Sequence, residues 1–175
     1  MIKMNKQSKG HSAAVYTAEG GIIAGLYTAL TYLSSAFGLA YGPIQFRISE
    51  ALTILPVFTP AAIPGLALGC FFSNIGSPYG LADMLLGTLA TLLAAICTRL
   101  TRNITIKKYP VLSAFMPVIF NCLIVSGEIS YFLPKDARVH GFVIGFLQVG
   151  AGEIVCATFL GLLLWRALRD RKLFR

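Results

Sequence analysis

Between Gly42 and Phe58 the chain reads GPIQFRISEALTILPVF, an apolar stretch broken only by Gln45, Arg47 and Glu50. A guanidinium and a carboxylate three residues apart share one helix face, where they can pair with each other or hold a polar ligand. Further polar groups stand alone in apolar surroundings: Asn74, Asp83, Asn121, Glu128, Gln148 and Glu153. Most have a structural reading. Arg47 and Glu50 can form an interfacial ion pair, Asp83 can meet a helix dipole, Asn74 can cap a turn, and Gln148 can bond a neighbouring helix. Glu128 and Glu153 are harder to explain structurally, because a carboxylate within an apolar span costs about 2.5–3.5 kcal/mol even on the most lenient insertion scale. They point to a site.

Catalysis finds little support. The two histidines are His11, in the polar N-terminal tail, and His140, at a helix end, and the chain has no HExxH, GxSxG or CxxC. Without a GxxxxGK[ST] loop the chain does not hydrolyse ATP by that route, so an ATP-driven process requires a partner. Cys70, Cys97, Cys122 and Cys156 show neither zinc nor disulfide-framework spacing and read as small packing residues. No cofactor or metal is expected. The chemistry left to these side chains is binding.

The elements that must position them are membrane helices. Of the 175 residues, 56% are hydrophobic and 13% charged, against about 25% charged in soluble domains, and the mean hydropathy is +0.73. Six apolar segments are predicted, at 20–39, 46–58, 60–76, 81–100, 109–133 and 139–165, between an N-terminal tail of residues 1–18 and a basic tail of residues 166–175. The second and third are short and are interrupted by Pro56, Pro60 and Pro64. With six crossings, Lys3, Lys6, Lys9, Arg99, Arg102, Lys107, Lys108 and the basic C-terminal cluster fall on one side. Only Arg47, Lys135 and Arg138 fall on the other. A five-crossing reading separates the charges less well. The positive-inside rule therefore favours an all-α, six-helix membrane domain with both termini cytoplasmic. The net charge of +8 reflects that inner-face excess and needs no nucleic-acid partner.

This topology assigns depths. Gln45, Phe46, Arg47, Glu50, Asn74, Asp83 and Glu128 lie towards the outer leaflet. Gln148 and Glu153 lie ~15 and ~22 Å below the outer end of the last span at 1.5 Å per residue, and Asn121 is about as deep, two turns below Glu128. The polar groups outline a funnel that opens outside and narrows near mid-membrane. In the first span, Gly21, Gly25 and Ala29 recur every four residues, with an alternative frame at Gly20, Ala24 and Thr28. Such faces let helices approach closely, within the bundle or against a partner.

Three segments, QFRISEALTILPVFTPAAIPGLALGCFFSNI, LADMLLGTLATLLAA and MPVIFNCLIVSGEI, resemble the QueT family, predicted queuosine-precursor S components (substrate-binding subunits) of energy-coupling-factor (ECF) transporters. The similarity runs from about the first span to Glu153. It implies a six-helix S component in the plasma membrane of a prokaryote. Such a subunit captures a vitamin-like ligand at the outer face and docks on a transmembrane coupling protein and two ATP-binding subunits. The family's first-helix small-residue motif, often AxxxA, implies partner contact at Gly21, Gly25 and Ala29, with glycines where alanine is more typical.

The resemblance further implies a deazaguanine ligand, whose adjacent ring and amine donors suit a carboxylate and whose carbonyl suits Asn, Gln or Arg. Glu128 and Glu153 are expected to divide the acidic roles, with Glu50 as substitute. Asn121, Gln148 or Arg47 would meet the carbonyl, Asn74 borders the site, and Phe46, Tyr79 or Tyr131 would stack on the ring. Two other readings stay open: an S component for a pyrimidine or thiamin-like ligand, and a solitary proton-coupled carrier.

Overall fold

A computed structural model describes residues 13–42 and 44–171. Helix α1 covers Ala13–Ala36 and buries Gly20, Ile23, Tyr27, Thr31 and Ser34, spacings of three and four that place them on one stripe. It begins within the expected N-terminal tail, which is helical from Ala13. A return loop leads to a 3-10 helix at Ile48–Val57. Helix α2 (Ala62–Ser73) ends in a single 3-10 turn at Asn74–Gly76. Helices α3 (Leu81–Leu100) and α4 (Val111–Tyr131) follow. Helix α5 (Arg138–Glu153) runs through a π-helical segment, Ile154–Leu160, into α6 (Gly161–Leu168). Among the described residues there are six α-helices and no strand. Three continuous helices are long and apolar enough to cross a membrane: Leu81–Leu100, Val111–Tyr131 and Arg138–Leu168.

The segment expected as an α-helix over 46–58 is instead a ten-residue 3-10 helix. Runs of this kind rarely exceed three or four residues, because i→i+3 geometry is poorer. Here the surroundings supply what the helix lacks. It lies among α1, α2, α3, α4, the π segment and α6, and the carbonyls of Pro56 and Val57 at its C-terminal end accept hydrogen bonds from the Arg99 guanidinium at 3.0 and 3.1 Å. A comparable repair occurs in α4. Pro117 has no N–H for the Ser113 carbonyl, and the Thr98 hydroxyl donates to that carbonyl instead, at 3.0 Å.

Consecutive helices pack in order, α1 on α2, α2 on α3, α3 on α4 and α4 on α5. Packing of α1 on α2 settles which small-residue frame faces inward. A Cβ on Gly65 would stand 2.7 Å from the Gly20 carbonyl oxygen, and one on Gly69 2.9 Å from that of Ala24. Thr28 donates its hydroxyl to the Gly69 carbonyl at 3.2 Å. The Gly20, Ala24, Thr28 frame is therefore the intramolecular one. Gly21, Gly25 and Ala29 are exposed and line an open groove with Tyr32 and Phe72.

The distribution of polarity is inverted relative to a water-soluble bundle. Large apolar side chains such as Ile22, Leu81, Leu100, Leu147 and Phe159 face outward, while Arg47, Glu50, Asp83, Asn121, Glu128 and Glu153 are buried. An apolar exterior around polar groups held by one another suits a hydrocarbon solvent.

Candidate functional site

The return loop after α1 doubles back on itself. Phe46 donates its backbone N–H to the Leu39 carbonyl at 2.9 Å, and Ile48 donates its own to the Ser34 hydroxyl at 3.1 Å. This fold-back leaves Arg47 extended (φ −90°, ψ 106°) at the mouth of the 3-10 helix and turns its side chain inward. The guanidinium is fully occupied by its surroundings except at one nitrogen. Nε donates to the Ala40 carbonyl at 3.0 Å, Nη1 donates to Asn74 Oδ1 at 3.0 Å, and Nη2 lies 3.6 Å from Asp83 Oδ2. The Tyr41 ring covers it, with the guanidinium carbon 5.1 Å from the ring centroid. Asn74 is fixed in turn, its amide donating to the Asp83 carbonyl at 3.0 Å and to Cys70 Sγ at 3.4 Å.

Glu50 enters from the 3-10 helix and is 3% exposed. It does not pair with Arg47 as an ion pair; the Tyr27 hydroxyl of α1 donates to its Oε1, and Oε2 has no hydrogen-bond partner. Glu153, 8% exposed at the end of α5, repeats the pattern. Asn121 of α4 donates Nδ2 to Glu153 Oε1 at 2.6 Å, and Oε2 is without a partner. Each acid is thus aimed by one donor from another helix and keeps one oxygen free.

These groups meet. Arg47, Glu50, Asp83, Asn121 and Glu153 border one cavity, which Gln45 and Cys70 also line. Its free volume is about 10 Å³, close to the least that holds one water. The loop seals it on one side by backbone contact: Gly152 lies so near Gln45 that a Cβ there would stand 2.1 Å from the Gln45 carbonyl oxygen. Only glycine tolerates that approach.

Of the residues expected at the site, Arg47, Glu50, Asn121 and Glu153 border this cavity and Asn74 holds Arg47 in place. Glu128 is 4% exposed, with neither carboxylate oxygen hydrogen-bonded, yet it does not line the cavity. Gln148 and Phe46 are half-buried and also outside its lining. Tyr79 and Tyr131 both pack on the Phe132 ring, with centroids 5.8 Å apart in each case. Asp83 is more than a dipole partner, since it meets the Arg47 charge. Tyr27 was not singled out from the sequence. The available signal was a phenol on the buried stripe of an apolar helix, where a hydroxyl needs a partner.

An all-helical bundle with an apolar exterior around a small, closed polar cavity has the build of a membrane protein. The profile of the QueT transporter family matches residues 17–170, and the chain belongs to that family. It is a family of transporters, in accord with the lack of catalytic motifs. The chain is 39% identical over 71 residues to the "Queuosine precursor transporter QueT" of Lactococcus lactis subsp. cremoris (strain MG1363). That alignment covers 41% of either chain, well under two thirds of the relative's length. No solved structure gives a significant match.

Proposed function

We propose that the chain is the substrate-capture subunit of an ECF importer, taking up a queuosine precursor, a 7-deazaguanine derivative, at the outer face of a prokaryotic plasma membrane. In this reading six segments cross the bilayer with both termini cytoplasmic. A coupling protein with two ATP-binding subunits supplies the energy. The observation that carries it is the side-chain cluster itself, in which two buried carboxyl groups each hold one oxygen free beside a fixed guanidinium, around a cavity of about 10 Å³ that must widen to admit the ring. A guanine-like edge offers donors to the former and a carbonyl to the latter. Glu128, buried on α4, lies outside the lining of this cavity.

Family membership supports a transporter, and the exposed Gly21, Gly25, Ala29 face offers the coupling protein a surface for close helix approach. The test is uptake of a deazaguanine by proteoliposomes. With the coupling protein and ATPase subunits present, uptake is expected to require ATP. Uptake by the chain alone, driven by a proton gradient, would instead make it a solitary carrier. Calorimetry with pyrimidine and thiamin-like ligands distinguishes a different S-component specificity.

A further inference from the structure

The loop between α3 and α4 closes as a two-residue hairpin. Ile106 and Tyr109 exchange both backbone hydrogen bonds at 2.9 Å, so the turn residues are Lys107 and Lys108. A tight turn of this kind takes a positive φ at both central positions, which is why Asn-Gly is its usual occupant. Lys107 stands at φ 49° and Lys108 at φ 71°, and among the described residues no other non-glycine has a positive φ. A side chain disfavours that conformation, so the stability of the turn does not account for two lysines. What they add is a pair of ammonium groups at an exposed tip. A backbone outlier without a local benefit points to use elsewhere.

The setting of the tip is amphipathic. Tyr109 stacks on Trp165 of α6 with ring centroids 5.4 Å apart, which ties the hairpin to the basic end of that helix. Residues 99–109 and 161–171 together carry seven basic side chains and one acid, Asp170, and that acid already meets Arg169 at 3.4 Å. Arg99 and Arg102 are turned onto backbone carbonyls, whereas Lys107 and Lys108 have no polar partner among the described residues. Leu100, at the end of α3, and Ile104 and Ile106, in the loop, are exposed beside them. Exposed apolar side chains, an aromatic pair and unpartnered ammonium groups together suit the boundary of a bilayer, where the first meet acyl chains, the rings sit at headgroup level and lysines reach phosphates. An acidic protein surface would complement the charges but not the exposed isoleucines. We propose that the Lys107–Lys108 hairpin is a docking surface for the phosphate headgroups of anionic lipids. This goes beyond the substrate-capture reading and is independent of the ligand that the polar cavity takes.

Trp165 is the single tryptophan of the chain and, through its stack on Tyr109, reports on lipid beside the hairpin. The test is quenching of its fluorescence in the full-length protein, reconstituted into phosphatidylcholine vesicles that contain either acyl-brominated phosphatidylglycerol or acyl-brominated phosphatidylcholine. Phosphatidylglycerol is expected to bind at least about threefold more tightly than phosphatidylcholine. Lys107→Asn combined with Lys108→Gly gives the turn its preferred residues and removes both charges. In that variant the preference is expected to fall at least about twofold, while the thermal unfolding midpoint in neutral detergent stays or rises. Lys107→Gln combined with Lys108→Gln removes the charges with the backbone strain kept and is expected to lose the same preference. Equal affinities in the wild-type protein overturn the lipid assignment, and if the variants then fail to co-purify with ATP-binding subunits the occupant is an acidic protein surface. A wild-type preference that both variants keep overturns the assignment to the hairpin. A lower midpoint in the Asn-Gly variant overturns the argument from backbone strain. The wild-type ratio is measured on the unaltered chain, so a variant that fails to fold does not void the test.

Discussion

Arg47 and Glu50 sit three residues apart, yet each finds its partner elsewhere, Arg47 in Asp83 and Asn74, Glu50 in Tyr27. That division makes Arg47 a structural brace as well as a wall of the pocket. Arg47→Ala strands Asp83 in a buried site, and loss of one member of a buried pair costs about 3–5 kcal/mol. A lower midpoint of thermal unfolding in detergent is expected, with Arg47→Met combined with Asp83→Asn recovering much of the loss. A double variant no more stable than Arg47→Ala alone would show that the pair is not the cause. At this scale the sequence was informative about which polar side chains the fold buries: Arg47, Glu50, Asp83, Asn121, Glu128 and Glu153. Arg47, Glu50, Asn121 and Glu153 do converge on one cavity. Position along a helix leaves azimuth open, however, and Glu128 and Gln148 do not line the cavity. Asp83 and Tyr27 were hidden because their roles depend on partners 36 and 23 residues away along the chain.

Helix α1 is read correctly from its small residues only once its partner helix is known. Periodicity reveals two candidate frames, and the glycines of α2 decide between them. The two frames predict opposite phenotypes. Gly69→Ala places a Cβ 2.8 Å from the Tyr27 Cβ, an overpacking expected to lower stability by about 1–3 kcal/mol. Gly25 has nothing within 4 Å of a built Cβ, so Gly25→Leu is expected to leave the unfolding midpoint nearly unchanged. If the proposed assembly is correct, it weakens co-purification with the coupling protein. A Gly25→Leu protein that unfolds early would place this face inside the bundle. The loop seal gives a third case. Gly152→Ala pushes against the Gln45 carbonyl and is expected to raise the Kd for deazaguanine by roughly fivefold, about 1 kcal/mol, mainly through faster release in stopped-flow measurements. Unchanged release would mean that the loop does not gate the cavity. The 3-10 helix was not legible, since its apolar content suits an α-helix equally well. What selects it is tertiary: encasement by six neighbouring elements and the Arg99 cap on its last carbonyls.

For the molecule as a whole, the charge asymmetry and the apolar exterior both bear on orientation. If six segments cross, single cysteines at positions 105 and 135, in a chain otherwise free of cysteine, are expected to react with an impermeant maleimide from opposite sides of sealed vesicles. Labelling of both from one side excludes that topology. The difficulty for six crossings has been the second segment, whose thirteen residues over 46–58 would measure only ~20 Å as an α-helix, short of the ~30 Å hydrocarbon thickness. The observed backbone alters that arithmetic. At ~2.0 Å per residue the ten residues Ile48–Val57 extend ~20 Å rather than the ~15 Å of an α-helix. The 3-10 winding makes this stretch a longer tie-rod through the bundle than an ordinary helix of the same residues. One end carries the acid and guanidinium of the cavity, and the other is anchored by Arg99 in the last turn of α3. Rewinding that rod into an α-helix would shorten it by ~5 Å, about one helical turn, which is enough to draw Glu50 away from Tyr27 while Arg99 keeps its grip.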